Sequence, residues 1–149
     1  MFKLSTNERL ARWKQFREEI NKLSLIDAIQ ETQYFWQKCP FTPFYLDIEN
    51  PNNWPDPWQL ITENFYCDIA KALGIVYTLH LSNHSTVINP EIRVYYNYKT
   101  RYSYCIAWFD DGKYIVNLTE DTVVNKEHLD QELKLKHRFT AKDLKLEQY

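Results

Sequence analysis

The chain has 149 residues, a formal net charge of −2, 44% hydrophobic and 26% charged side chains, and 16% aromatics, a composition that fits one globular domain and excludes a disordered chain. Its two glycines, Gly74 and Gly112, are too few and too far apart to form a phosphate-cradling loop. Rossmann, P-loop and kinase-type nucleotide sites are therefore excluded, and no cofactor is expected. The charge balance demands neither nucleic acid nor an anionic membrane as a partner.

In chain order, Ser5 and Glu8 have capping-box spacing and predict a helix over Thr6–Leu23, with Leu10, Trp13, Phe16, Ile20 and Leu23 at helical period. Ser24 predicts the cap of a second helix, Leu25–Lys38, which carries Ile26, Ile29, Tyr34 and Trp36 and is stopped by Pro40. From Pro40 to Pro57 there are five prolines, together with Phe41, Phe44, Tyr45 and Trp54. This predicts an irregular connection that packs onto the body through its aromatics. No Lys or Arg lies between Cys39 and Ala70, whereas Asp47, Glu49, Asp56, Glu63 and Asp68 do.

Asp56-Pro57 reads as an N-cap followed by proline at the first helical position. It predicts a third helix over Pro57–Leu73 with Gly74 as its stop, which places Cys67 inside the helix. After Gly74 the hydrophobic period changes to two. Strands are predicted over Ile75–Leu81, Glu91–Tyr98, Arg101–Phe109 and Lys113–Leu118, with turns at Ser82–Ser85, Lys99-Thr100 and Asp110-Asp111-Gly112. The expected register pairs Tyr96 with Ser103, Val94 with Cys105 and Ala107 with Ile115. A short helical stretch near Lys126–Gln131 and a strand through Leu133, Leu135, His137 and Phe139 complete a single α+β domain, 1–149, in which N-terminal helices pack on a C-terminal antiparallel meander.

Cys39, Cys67 and Cys105 are widely spaced and form no C-x-x-C. They read as reduced thiols in a cytoplasmic compartment. No signal peptide or membrane span is visible. His80 and His84 are spaced i, i+4, but no third ligand accompanies them, so no metal is expected.

The string Asn64-Phe65-Tyr66-Cys67-Asp68-Ile69-Ala70, followed by Leu73-Gly74-Ile75, resembles the nucleophile helix of transglutaminase-like (papain-like) thiol enzymes. The segment Ala107–Val116 resembles the His/Asp hairpin of the same family, and the likeness spans roughly Asp56 to Leu118. It implies a reduced or degenerate cysteine-proteinase-like fold with Cys67 as nucleophile. The resemblance places the family's histidine near Ser103–Cys105 and its aspartate at Asn117; His80 and His84, which follow Cys67 on the next predicted strand, are the candidate substitute bases. Asn53–Leu79 bears a looser resemblance to small uncharacterised proteins of T4-type tailed phages, which implies a virion or assembly component or a small host-takeover protein.

The densest feature is the tyrosine hairpin. Arg93, Tyr95, Tyr98, Arg101, Tyr102, Tyr104 and Trp108 form its candidate binding surface, a mixture suited to a protein interface and equally to ordinary strand packing. The leading expectation is a non-enzymatic phage-type structural or interaction protein acting through this surface on a protein partner, within a virion or assembly complex. The alternative is a thiol hydrolase or acyltransferase using Cys67 with His80 or His84. A second alternative is single-stranded nucleic-acid binding, against which the net charge argues.

Overall fold

The computed structural model describes residues 1–43, 45–119 and 121–149, so Phe44 of the proline-aromatic connection lies outside the described residues. Helix α1 is Thr6–Ile20, opened by the expected capping box of Ser5 and Glu8, and it buries Trp13, Phe16 and Ile20. Helix α2 is Leu25–Gln37, capped by Ser24, and buries Ala28, Ile29, Thr32, Gln33 and Trp36. Asp56 and Gln59 form a second capping box that opens α3, Pro57–Ile61. Helices α4, Asp68–His80, and α5, Ser85–Ile88, follow.

Strands β1 (Glu91–Asn97), β2 (Tyr102–Phe109), β3 (Tyr114–Val116) and β4 (Leu133–Phe139) form one antiparallel sheet in the order β3-β2-β1-β4. The α+β class and the meander agree with the sequence reading, and so does Gly112, which takes φ +81° in the tight turn between β2 and β3. Among the described residues, no helix is long and apolar enough to cross a membrane.

Four expectations fail here. The predicted helix Pro57–Leu73 is two helices, and the predicted strand Ile75–Leu81 belongs to α4. Gly74 is not a stop. It lies in mid-helix, where a Cβ atom would stand 2.4 Å from the Trp36 ring, so glycine permits a close approach that its absent side chain leaves open. Lastly, Ala107 pairs with Val116 and Trp108 with Ile115, one residue away from the expected register, and a one-residue slip exchanges the two faces of a strand.

The core is built around α4, whose residues Ile69, Ala70 and Ala72–Leu79 are all buried. Thr78 is its polar centre. Its Oγ1 accepts the indole N–H groups of both Trp13 and Trp36 at 3.0 Å and donates to the Gly74 carbonyl at 2.6 Å, so three buried polar groups satisfy one another. The helix side of the sheet contributes Ile92, Val94, Cys105, Ala107, Phe109 and Val116 to this core.

The opposite side of the sheet is also partly covered. Tyr95, Ile106, Trp108 and Ile115 pack beneath Leu118, Val124, Leu129 and Leu133, and Val124 exchanges two backbone hydrogen bonds with Ile115. The Arg93 guanidinium lies 3.6 Å above the Trp108 ring, and Arg93 and Arg138 both grip Glu91. Of the proposed tyrosine surface, Tyr95 and Trp108 are therefore core residues and Arg93 is committed to an internal ion pair. Tyr98 and Tyr102, 60% and 66% exposed, and Arg101 remain at the surface.

Candidate active site

The break between α3 and α4 positions Cys67. The Tyr66 ring is fully buried and its hydroxyl donates to the Leu60 carbonyl at 2.8 Å. Its backbone is engaged by the loop before α3: the Tyr66 N–H donates to the Pro40 carbonyl at 2.8 Å, and the Tyr66 carbonyl accepts from Thr42 N–H at 3.1 Å. This isolated parallel bridge, Phe41 with Tyr66, holds the chain extended where a continuous helix was predicted. Arg9 takes up carbonyls freed at the end of α3, donating to Ile61 at 3.5 Å and to Glu63 at 2.7 Å, and ties this point to the N-terminus by donating to the Phe2 carbonyl. The helix can restart only after Tyr66, so Cys67, with extended φ −90° and ψ 179°, becomes the N-cap of α4. It is therefore at a helix N-terminus and not inside a helix.

The hairpin is tied to the same point. Asn117, where the family resemblance places an aspartate, donates through Nδ2 to the Cys105 carbonyl at 2.7 Å and to the Asp68 carbonyl at 3.2 Å. Its backbone N–H donates to Oε1 of the buried Gln33 at 2.7 Å. One amide thus joins α4, β2 and the end of β3. Cys105 stands in the region where the family has its histidine, paired with Val94 on the helix face of the sheet.

An open cleft of about 310 Å³ runs past this junction, lined by Asp68, Lys71, Ser103, Cys105 and Asn117 among others. Cys67, the residue before Asp68, is buried behind this lining, 3% exposed. Burial pushes the Cys39 thiol up to about 12, with Lys71 opposing. It pushes the Cys105 thiol up to about 12 as well, with the Asp68 carboxylate adding to the effect. The protein packed around Asp68 raises its carboxyl and the Lys71 ammonium partly offsets this. The Asp68 side chain still meets solvent, which screens both effects.

None of the four histidines lines this cleft. His80 ends α4, a 13-residue helix, and at 1.5 Å per residue stands about 20 Å from Cys67. The His84 ring nitrogen bonds the Ile20 carbonyl at 2.9 Å, on the same far side. The structure therefore separates both imidazoles from Cys67. The sequence reading missed Asp68, Lys71 and Gln33 as neighbours of the site. The Asp68-to-Lys71 spacing, one helical turn, is the signal that could have marked the first two once the helix start was known.

No protein-family model matches the sequence, and no curated protein matches it. Among solved structures, the fold is similar to Legionella pneumophila LapG, with a TM-score of 0.71 at 14% identity over 91% of this chain and 75% of that chain. It is similar to calcium-bound LapG, with a TM-score of 0.67 at 13% identity over 93% and 77%. The likeness shows the fold: a cysteine-proteinase-like α+β arrangement shared with LapG. This likeness overturns the leading sequence expectation of a non-enzymatic virion protein working through its tyrosine face, and favours the thiol-hydrolase alternative. The burial of Tyr95 and Trp108 points the same way.

Proposed function

We propose that the protein is a thiol hydrolase or acyltransferase of the transglutaminase-like type with Cys67 as its nucleophile. The observation that carries this reading is the placement of Cys67 at the N-cap of α4, beside a cleft walled by the β2–β3 hairpin. The first-turn amides of a helix lack intrahelical partners, and the positive end of the helix dipole favours anions. The same amides are available to the oxyanion that forms when sulfur adds to an acyl carbon.

In the reaction, the Cys67 sulfur adds to the carbonyl carbon and the C–N or C–O bond to the leaving group breaks. The departing amine or alcohol takes up the thiol proton, and a thioester remains. Water or an acceptor amine then takes the acyl group and restores the thiol. With Cys105 and Asn117 in the positions of histidine and aspartate, there is no imidazole relay. Asp68 is the carboxylate on the cleft, and its upward shift suits it to carry the proton between the two steps. One of the similar structures is calcium-bound. Among the described residues here, no group of three or more His, Cys, Asp or Glu side chains is placed to hold a metal ion, and no step of this chemistry runs through one.

The test is acylation by p-nitrophenyl acetate followed by peptide mapping. An acetyl group on Cys67, absent from Cys67→Ala and formed more slowly at neutral pH in Asp68→Asn, is the expected result. Acetylation confined to surface lysines would refute the reading.

A further inference from the structure

The cleft does not end at Cys105. Along the helix face of the sheet, the row Val94–Cys105 is buried beneath α4, whereas the next row outward lies open. That row consists of Ser103, its partner Tyr96, and Lys134, the partner of Tyr96 on β4. The pairing puts all three on one face, and Ser103 also lines the cleft. A shelf about two strand spacings wide, roughly 10 Å, therefore leads out from the site.

Two features give the shelf a chemical character. Its floor is aromatic: the Tyr96 and Tyr98 rings meet edge to face at 4.7 Å, and the Lys136 ammonium stands 5.7 and 5.5 Å from their centroids. Its charge is positive and uncompensated. Lys134, Lys136, and Lys99 and Arg101 in the adjoining turn are exposed, and none has an ion-pair partner among the described residues. The other β4 cations differ, since Arg138 is held by Glu91 and His137 stands beside Glu49. In a chain of net charge −2, four exposed cations around the Tyr96–Tyr98 floor, with no ion-pair partner among the described residues, make a local field and not a reflection of composition.

We propose that this shelf binds a peptide segment rich in Asp and Glu, and that such a segment flanks the bond on which Cys67 acts. The inference rests on the Cys67 reading in one respect. An acyl donor is required, which a peptide supplies and a phosphodiester does not. Carboxylates on the segment pair with Lys134 and Lys136, and its apolar stems lie on Tyr96 and Tyr98.

The experiment titrates Cys67→Ala protein with three fluorescein-labelled probes, followed by anisotropy. They are an alternating Glu-Ala peptide, its Lys-Ala counterpart, and an oligothymidylate of equal length. The Glu-Ala peptide is expected to bind best and to weaken as salt rises. Its affinity is expected to fall about tenfold in Lys134→Glu/Lys136→Glu, a variant whose unchanged far-ultraviolet circular dichroism certifies the fold. Failure of the Glu-Ala peptide to outbind the Lys-Ala peptide overturns the proposal, and tighter binding of the oligothymidylate reassigns the shelf to nucleic acid. Iodoacetamide labelling of the unmodified protein separates the two readings. If Cys67 labels readily but the acidic peptide neither binds nor protects it, the shelf fails and the nucleophile stands. If the peptide binds while Cys67 stays inert, the nucleophile fails and the anionic site stands.

Discussion

The two ends of α4 share one helix and have opposite chemistry. At its C-terminal half, every group is spent on packing. Gly74 admits the Trp36 ring, Thr78 receives two indole N–H groups, and His84 beyond the helix bonds the Ile20 carbonyl. At its N-terminus, the cap is a cysteine with no side-chain capping bond, beside an open polar cleft. A serine or aspartate there would satisfy first-turn amides; Cys67 leaves them available. The difference teaches that His80 and His84 belong to a separate part of the molecule from Cys67, although Cys67 and His80 are only 13 residues apart in sequence.

The largest effect is expected at the packed end. Trp13→Ala removes a fully buried ring and one of the two indole bonds to Thr78, and should cost about 3–5 kcal/mol in urea unfolding. The alkylation rate of Cys67 in the remaining folded protein should not change. A large change in that rate would show that the two ends are coupled.

Asn117→Ala comes next and sharpens the contrast from the other side. It strips the Cys105 and Asp68 carbonyls of a shared donor, and should cost about 1–3 kcal/mol. Here alkylation of Cys105 should accelerate, because the hairpin is no longer fastened to α4. A variant equal to the parent in both measurements would mean that the clamp is not what closes the junction.

The smallest effect lies away from both ends. Hydrogen bonds from Arg138 and then Arg93 hold the Glu91 carboxyl below the usual glutamate range, against the raising effect of burial. A depressed folded value contributes stability that is present above the unfolded glutamate pKa, about 4.3, and is lost as pH falls through the folded value. Stability should therefore decline on acidification below about pH 4.3, and Glu91→Gln should remove that part of the slope while lowering stability at neutral pH. An unchanged acid slope would assign it to other carboxylates.

The sheet half was legible in the sequence because its signals are local. Asp110-Asp111-Gly112 forms a turn of left-handed residues, and alternation marks β1 and β2. The register error at β3 arose from that turn, which takes one more residue than the pairing assumed. The α4 region was not legible because its determinants are distant. Gly74 looks like a helix stop until Trp36 of α2 is seen against it, and the β-branched residues of 75–81 look like a strand until they are buried on every side. Cys67 carries no capping oxygen, and the break before it is enforced by Pro40 and Thr42 acting on Tyr66. The resemblance to the nucleophile helix singles out Cys67, which the structure places at a helix N-cap and not inside a helix, whereas His80 and His84 fall on the far side.

The most direct measurement is iodoacetamide labelling resolved by cysteine, across pH 6 to 10, on the folded protein. Cys39 and Cys105, pushed up to about 12 by burial, should label slowly throughout. Cys67 should label first and at neutral pH, with its rate reduced in Asp68→Asn. Labelling of Cys67 no faster than that of the other two would contradict a nucleophile at the head of α4.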